Sequence, residues 1–298
     1  MKTMNAIQNF LEAKQADGTD PKTLKWYRAM LKPLSDNYGN VNVGQISTPD
    51  MRELMIALRS KTASKATISG YSVALRAFWA WVERETGKVN PMGGIKKPGR
   101  PTPHPRAISP ADLKAIYQAC GGGWIGARDR AIILMLADTG IRAGGLLTLK
   151  IDDLDLTKRR AIVKEKFGKK RPVPYTRLTM SVLKTYLMAR PKHGVALFCT
   201  SKGDPLTYWG LRQLLMRLAK RAGIKGRYNI HSFRHFAARE YLRQGGDLAT
   251  LATLLGHADV STTAAHYAVY DSDEIAARHD LHSPLKTVFG RSSSADAD

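Results

Sequence analysis

Cysteines and long apolar runs are both scarce in this chain. Its 298 residues include only Cys120 and Cys199, too few for a disulfide framework or a multi-cysteine zinc site. The longest apolar run, Ala131 to Ala137, is far shorter than the ~20 residues that cross a bilayer. The first ten residues contain no sustained apolar segment, so we expect no secretion signal. These absences exclude membrane-spanning and disulfide-scaffold proteins and favour a cytoplasmic protein.

Acidic residues are also few, and the positive charge that remains is unevenly distributed. The chain has 25 Asp and Glu against 47 Lys and Arg, a net charge of +22. Residues 151–235 hold 20 basic and 5 acidic residues, a net charge of +15, whereas residues 1–95 hold 13 and 8. Because like charges repel in a compact protein, this surplus indicates a polyanionic partner, and nucleic acid is the commonest one.

Apolar residues in the first 92 positions recur at helical spacing. The longest stripe includes Ile68, Tyr71, Leu75, Phe78 and Val82, and three shorter segments show the same period. The pattern predicts a bundle of four helices joined by short loops. Within it, Trp79 and Trp81 are expected to be core and edge aromatics rather than a platform for stacking bases.

A break in composition separates this bundle from the rest of the chain. Residues 93–106 contain four prolines, three glycines and four basic residues, which exclude a helix or a central strand. We therefore predict a basic linker over residues 93–108. It would join a helical domain, residues 1–92, to a second domain over residues 109–285, followed by a flexible tail, residues 286–298.

The second domain is predicted to be mostly helical with a small sheet. Ser109 and Pro110 predict the start of a helix, with Ser109 as the N-cap and Pro110 at the first helical position. Residues 161–163 and 172–174 flank a polar turn and predict a β-hairpin, whose second strand Pro172 and Pro174 confine to a sheet edge. The remaining predicted helices cover about 126–138, 208–222, 236–244 and 248–255, and a last one is capped by Ser261.

Five polar motifs follow one another in the second domain. They are Arg142 after Thr139-Gly140, Lys166 in the hairpin turn, His231 with Arg234 three residues later, His257 after Leu255-Gly256, and Tyr267 ten residues beyond His257. Two guanidiniums can bind the non-bridging oxygens of a phosphodiester through paired donors. A lysine can protonate a leaving oxygen, and a tyrosine can form a covalent intermediate. These residue types therefore suit phosphoryl transfer that needs neither ATP nor a metal.

In this order and at this spacing, the motifs resemble those of the tyrosine recombinases, the phage integrase family that includes the Xer recombinases. The motif resemblance covers about residues 105–285, while residues 1–95 resemble the family only generally. It implies a mainly α fold with a small β-sheet: an N-terminal four-helix core-binding domain and an α+β catalytic domain. It also implies site-specific DNA recombination through a 3′-phosphotyrosyl intermediate and a free 5′-OH, without a cofactor.

The resemblance assigns a role to each motif residue. It makes Arg142, His231, Arg234 and His257 the phosphate-binding groups, Lys166 the general acid and Tyr267 the nucleophile, with Asp153 in support of the site. The partner would be double-stranded DNA, held between the two domains, and the protein would act in the cytoplasm, at the nucleoid, as a tetramer on two DNA sites. The basic residues of the linker and hairpin would contact DNA: Lys96, Lys97, Arg100, Lys169, Lys170 and Arg171.

Several alternatives stay open at the level of sequence. Lys164 and Lys169 compete with Lys166 in the same hairpin, and Tyr270 lies three residues beyond Tyr267 on the same helix face. His231 and His257 could be helix-cap or packing residues, and His235 and His266 are expected to be neighbours without a catalytic task. The whole protein could bind DNA without cleaving it, or it could be a type IB topoisomerase or a telomere resolvase.

One position departs from the family pattern. Three residues after the first arginine the family usually has Glu, but this chain has Gly145. A carboxylate at that spacing would orient Arg142. Without it, either another acid such as Asp153 substitutes or DNA orders Arg142. We expect the second at least in part, so that Arg142 is loosely held in the free enzyme and Gly145→Glu speeds cleavage or tightens the complex before cleavage.

Overall fold

The computed structural model consists of two compact units, Met1–Thr102 and Pro103–Asp298. It describes residues 1–61, 64–99, 107–164, 170–225, 229–256, 259–267, 275–276, 279–281 and 283. The division between the units falls inside the segment predicted as a linker, of which residues 100–106 lie outside the described part. The predicted tail, residues 286–298, lies outside it as well. No helix within the described residues is long and apolar enough to cross a membrane.

The first unit is a helical bundle, as its apolar periodicity predicts. Its helices are α1 (Thr3–Ala16), α2 (Pro21–Tyr38), α3 (Thr48–Lys61) and α4 (Lys65–Thr86), with a 3-10 turn at Val43–Gln45. The apolar faces of all four helices meet in one core. Phe10, Phe78, Trp79 and Trp81 are buried there in edge-on and stacked contacts. Both tryptophans are therefore structural.

The second unit combines eight helices of the described chain with a three-stranded sheet. Its elements, in order, are α5 (Pro110–Gln118), α6 (Gly123–Thr139), α7 (Ala143–Thr148), a 3-10 turn (Ile151–Asp153), β1 (Leu154–Asp155), β2 (Arg160–Lys164), β3 (Lys170–Pro174), α8 (Arg177–Ala189), α9 (Tyr208–Arg221), α10 (Ile230–Arg243), α11 (Leu248–Leu255) and α12 (Val260–Tyr267). The buried helix α6 runs through the middle of the main core.

The sheet is antiparallel, with the strand order β1-β2-β3. The predicted hairpin is present: β2 pairs with β3 in a register that places Ile162 opposite Pro172 and Arg160 opposite Pro174. Both prolines lie on an edge strand, as expected from their missing N–H groups. The first strand, β1, was not predicted, because two residues are too few to show a period. The hairpin turn itself, residues 165–169, lies outside the described part.

Three helices differ from the sequence prediction. Helix α8 was not predicted; its first turn is fixed by Asp138, whose Oδ2 accepts hydrogen bonds from Thr176 N and Thr179 Oγ1 at 2.8 and 2.6 Å. Helix α10 begins at Ile230, six residues before the predicted start at residue 236. Helix α12 begins at Val260, and Ser261 is not its cap: Ser261 N donates to Asp259 Oδ1 at 2.8 Å.

Candidate active site

The site begins where α6 ends, at a glycine that no other residue replaces easily. Gly140 has a φ of 59° and closes α6 in the left-handed conformation, which favours glycine. A Cβ atom there would also lie 2.8 Å from Leu255 Cδ2 and 3.3 Å from Ala237 Cβ. The glycine therefore reverses the chain and lets α10 and α11 approach closely. Arg142 follows two residues later as the N-cap of α7.

Helix α10 presents the second arginine to this same point. Its N-cap, Asn229, accepts a hydrogen bond from Ser232 N at 3.1 Å, and Ser232 Oγ accepts one from Asn229 N at 3.3 Å. This cap places Arg234 in the second turn, where it is only 5% exposed. Its guanidinium donates to Gly140 O and to Leu255 O, both at 2.7 Å. Arg234 thereby joins the ends of α6 and α11.

Three guanidiniums converge on the end of α11. Arg171 donates to Leu254 O at 2.6 Å, Arg234 to Leu255 O at 2.7 Å and Arg142 to Gly256 O at 3.1 Å. These carbonyls belong to the last turn of the helix, where the backbone dipole favours positive charge. Residues far apart in sequence thus form one cationic cluster, which we name the arginine cluster: Arg142, Arg171 and Arg234.

Tyr267, at the end of α12, lies beside this cluster with its ring buried. The residue is 7% exposed and packs with Ala238, Leu242, Leu251 and Leu255. Burial raises the pKa of its phenol; a hydrogen bond from Arg234 and the charges of Arg234 and Arg142 counter part of that rise. The phenol therefore stays protonated at neutral pH, next to groups that stabilise its anion.

A residue without a predicted task contacts the same hydroxyl. His235 Nδ1 lies 2.9 Å from Tyr267 Oη, and the two ring centroids are 5.6 Å apart. His235 is half-buried and directly follows Arg234 on α10. The sequence analysis expected His235 to be a neighbour without a catalytic task, and the structure places it in contact with the predicted nucleophile. A signal was present in the sequence, since His231 and His235 are four residues apart and share a helix face.

The other predicted site residues are distributed as follows. His231 is exposed on the first turn of α10, and Lys96, Lys97 and Lys170 are exposed. Asp153 Oδ2 accepts a hydrogen bond from Lys150 N at 2.8 Å and so closes the 3-10 turn before β1. Arg171, predicted to contact DNA, has its guanidinium bound to Leu254 O. The residues that lie outside the described part are Arg100, Lys166, Lys169, His257 and Tyr270.

The chain matches the model of the phage integrase family over residues 106–273, more than half of its length. It belongs to that family. It is 29% identical to the tyrosine recombinase XerC of Oceanobacillus iheyensis over 272 residues, which cover 86% of this chain and 89% of the relative. It is 31% identical to the XerC of Staphylococcus saprophyticus over 223 residues, covering 73% and 75% of the two chains. The protein is therefore a tyrosine recombinase, an enzyme of site-specific DNA recombination.

A solved structure supports the same fold assignment. The lambda integrase tetramer bound to a Holliday junction aligns with a TM-score of 0.73 and 18% identity, covering 88% of this chain and 77% of that one. At this identity the likeness concerns the fold. The mainly helical architecture with a small sheet, predicted from the sequence, is thus confirmed.

The structure corrects the sequence-based view of Gly145 in this recombinase. A Cβ atom at Gly145 would lie 2.8 Å from Val163 Cγ1 and 3.2 Å from Ile141 Cγ1. Val163 is buried in β2, and its branched side chain has little freedom to move away. Arg142 itself is exposed, and its guanidinium donates to Gly256 O at 3.1 Å. The glycine is thus explained by close packing of α7 on β2.

We expect Gly145→Ala and Gly144→Ala to have opposite effects on stability. At Gly145 the clash should outweigh the gain in helix propensity and lower the free energy of unfolding by about 1–3 kcal/mol. At Gly144 a Cβ atom would meet no heavy atom within 4 Å, so the substitution should be neutral or stabilising by up to about 1 kcal/mol. Urea denaturation of both variants measures this. Equal stabilities of the two variants would contradict the packing explanation. Because a side chain at Gly145 meets Val163, Gly145→Glu is expected to slow cleavage, not to speed it.

Proposed function

We propose that this recombinase cleaves and rejoins double-stranded DNA with Tyr267 as its nucleophile. The observation that carries the proposal is the position of Tyr267: its buried ring packs against Leu255, whose carbonyl binds Arg234, and the charges of Arg234 and Arg142 counter the rise in the pKa of its phenol. A phosphate bound by these two arginines would lie next to the phenol oxygen. Attack would form a 3′-phosphotyrosyl ester that keeps the energy of the phosphodiester bond for resealing.

The arginines would hold the non-bridging phosphate oxygens, with His231 and His257 as further donors. Arg234 is well suited to this task, because its two bonds to carbonyl oxygens fix the guanidinium before DNA arrives. A donor oriented in advance costs no reorganisation at the moment of reaction. Asp153 would support the site indirectly, by fixing the 3-10 turn that follows α7.

Lys166 would protonate the leaving 5′ oxygen. It lies in the turn between β2 and β3, and β3 is tied to the end of α11 through Arg171. We therefore assign Arg171 to positioning of this hairpin. The DNA backbone would be bound by Lys96, Lys97 and Arg100 of the linker and by Lys169 and Lys170 of the hairpin, which belongs to the segment with a net charge of +15.

Recombination between two DNA sites would require several copies of the protein. We infer a tetramer acting on two duplexes, in the cytoplasm and at the nucleoid. The lambda integrase tetramer on a Holliday junction supports this inference by its likeness of fold. A protein that only binds DNA would not need a buried tyrosine hydroxyl between an arginine and a histidine, so we favour the enzyme.

Covalent trapping tests the proposal. Purified protein is incubated with a library of random-sequence duplexes that carry a nick, so that the short fragment with the released 5′-OH diffuses away and rejoining stops. We expect an adduct that survives denaturing detergent, joined to Tyr267 through a 3′-phosphate. Sequencing the trapped DNA then identifies the target site. Binding of the library without any adduct would refute the enzyme and support the DNA-binding alternative.

A further inference from the structure

His235 contacts the reacting atom itself, although neither the motif pattern nor the proposed roles use it. The distance of 2.9 Å from Nδ1 to Tyr267 Oη lies within the range for direct proton transfer. His235 reaches the hydroxyl from α10, while Tyr267 stands 32 residues later on α12. Contacts between these helices and α11 hold the two side chains in place.

The chemistry of the neighbouring groups determines the direction of this hydrogen bond. Arg234, whose charge acts on the phenol, carries a guanidinium that donates hydrogen bonds and accepts none, so it cannot take the phenol proton. The phenol proton then needs an acceptor, because a buried hydroxyl whose proton has no acceptor destabilises the folded protein. The imidazole Nδ1 supplies that acceptor when its other nitrogen, Nε2, carries the proton.

We propose that His235 is the general base that takes the proton of Tyr267 during cleavage. The inference rests on the proposed nucleophile. In the forward step the bond from Tyr267 Oη to phosphorus forms, the bond from phosphorus to the 5′ oxygen breaks, and the phenol proton passes to His235 Nδ1. The leaving 5′ oxygen takes its proton from Lys166. In rejoining, the 5′-OH attacks phosphorus and gives its proton to Lys166, the bond from phosphorus to Tyr267 Oη breaks, and His235 returns its proton to the departing phenol oxygen.

The electrostatic surroundings suit this transfer. Among the described residues, the charged groups that act on the Tyr267 phenol are Arg234 on α10 and Arg142 at the start of α7, and both are cations. Positive charges favour a neutral imidazole, which is the form that accepts a proton, and they stabilise the phenolate character that develops as the proton leaves. The buried phenol, with its raised pKa, does not lose its proton to water at neutral pH.

The test compares His235→Asn with wild type in single-turnover adduct formation on the nicked site recovered by trapping. An asparagine amide can still accept a hydrogen bond near the position of Nδ1 but cannot take a proton. We expect the rate to fall by about 10²-fold or more. The wild-type rate should rise with pH as the imidazole loses its proton, and this rise should be absent in His235→Asn. His193→Asn, the same change at an exposed histidine of the same unit, should behave as wild type.

A second substrate separates the two proton transfers. When the 5′ bridging oxygen is replaced by sulfur, the leaving thiolate needs no proton. This substrate should restore much of the activity of Lys166→Ala and none of that of His235→Asn. Restoration of His235→Asn would overturn the proposal, since His235 would then serve the leaving group.

Other outcomes also decide the question. A His235→Asn rate within a few fold of wild type, with the same pH profile, would overturn the inference. A slow variant whose cleavage rate still rises with pH as the wild-type rate does would overturn it too. Thermal unfolding of each variant shows that the protein tested is folded. Failure of wild type and His193→Asn to form any adduct would refute the proposed function as a whole, whereas a normal wild type beside an unaffected His235→Asn would refute this inference alone.

Discussion

Removal of one hydroxyl, in Tyr267→Phe, is expected to abolish the covalent protein–DNA adduct and leave the affinity for DNA nearly unchanged. The aromatic ring would keep its packing against Ala238, Leu242 and Leu255. The lost hydrogen bonds should lower the free energy of unfolding by only about 1 kcal/mol. The chemical step, in contrast, loses its nucleophile. Adducts on the nicked substrate are counted by denaturing gel electrophoresis, and affinity is measured by mobility shift.

Two other tyrosines serve as controls for this variant. Tyr241 packs against the same apolar cluster, and Tyr241→Phe should form the adduct at the wild-type rate. Tyr270→Phe should do the same. If Tyr267→Phe still forms an adduct and Tyr270→Phe does not, the nucleophile is Tyr270. The roles proposed for Arg234 and His235 would then be refuted as well.

The second large effect is expected at Arg234, even when its charge is kept. Arg234→Lys retains a cation but loses the planar fork that donates to Gly140 O and Leu255 O at the same time. We expect cleavage to slow by about 10²–10³-fold, the usual loss when one oriented donor is removed from an anionic transition state. The free energy of unfolding should also fall by about 1–3 kcal/mol, because one buried carbonyl is left without its donor.

Arg239→Lys is the matched control, since Arg239 is exposed on the same helix. It should cleave at the wild-type rate and unfold at the wild-type temperature. Rates are compared at a temperature where thermal unfolding shows every variant to be folded, so that a loss of stability is not read as a loss of catalysis. An Arg234→Lys protein that cleaves like wild type would contradict the assigned role of the guanidinium.

Local signals in the sequence were sufficient for much of the fold. Helix α11 covers the predicted residues Leu248–Leu255, because Asp247 caps its start and Gly256 its end. The edge position of β3 followed from its prolines. Helix α8 escaped prediction because only Thr179, Leu183 and Tyr186 of its residues are buried, so its apolar side chains do not form a clean stripe.

The site was predictable in its residue types but not in its contacts. The motif order identified Arg142, Arg234 and Tyr267, which the fold brings together. The hydrogen bond between His235 and Tyr267 joins residues 32 positions apart, and the packing that excludes a side chain at Gly145 comes from Val163 on another element. Such contacts depend on how α10, α12 and β2 pack, which no local pattern encodes.

The arginine cluster has a consequence for the free protein. Its three guanidiniums bind consecutive carbonyls at the end of α11, so they are held close together although they repel one another. The carbonyl dipoles offset only part of that repulsion. A bound phosphate carries a full negative charge and would stabilise the three guanidiniums further. The recombinase is thereby built to gain thermal stability on binding DNA, since a ligand that binds only the folded state raises the unfolding temperature.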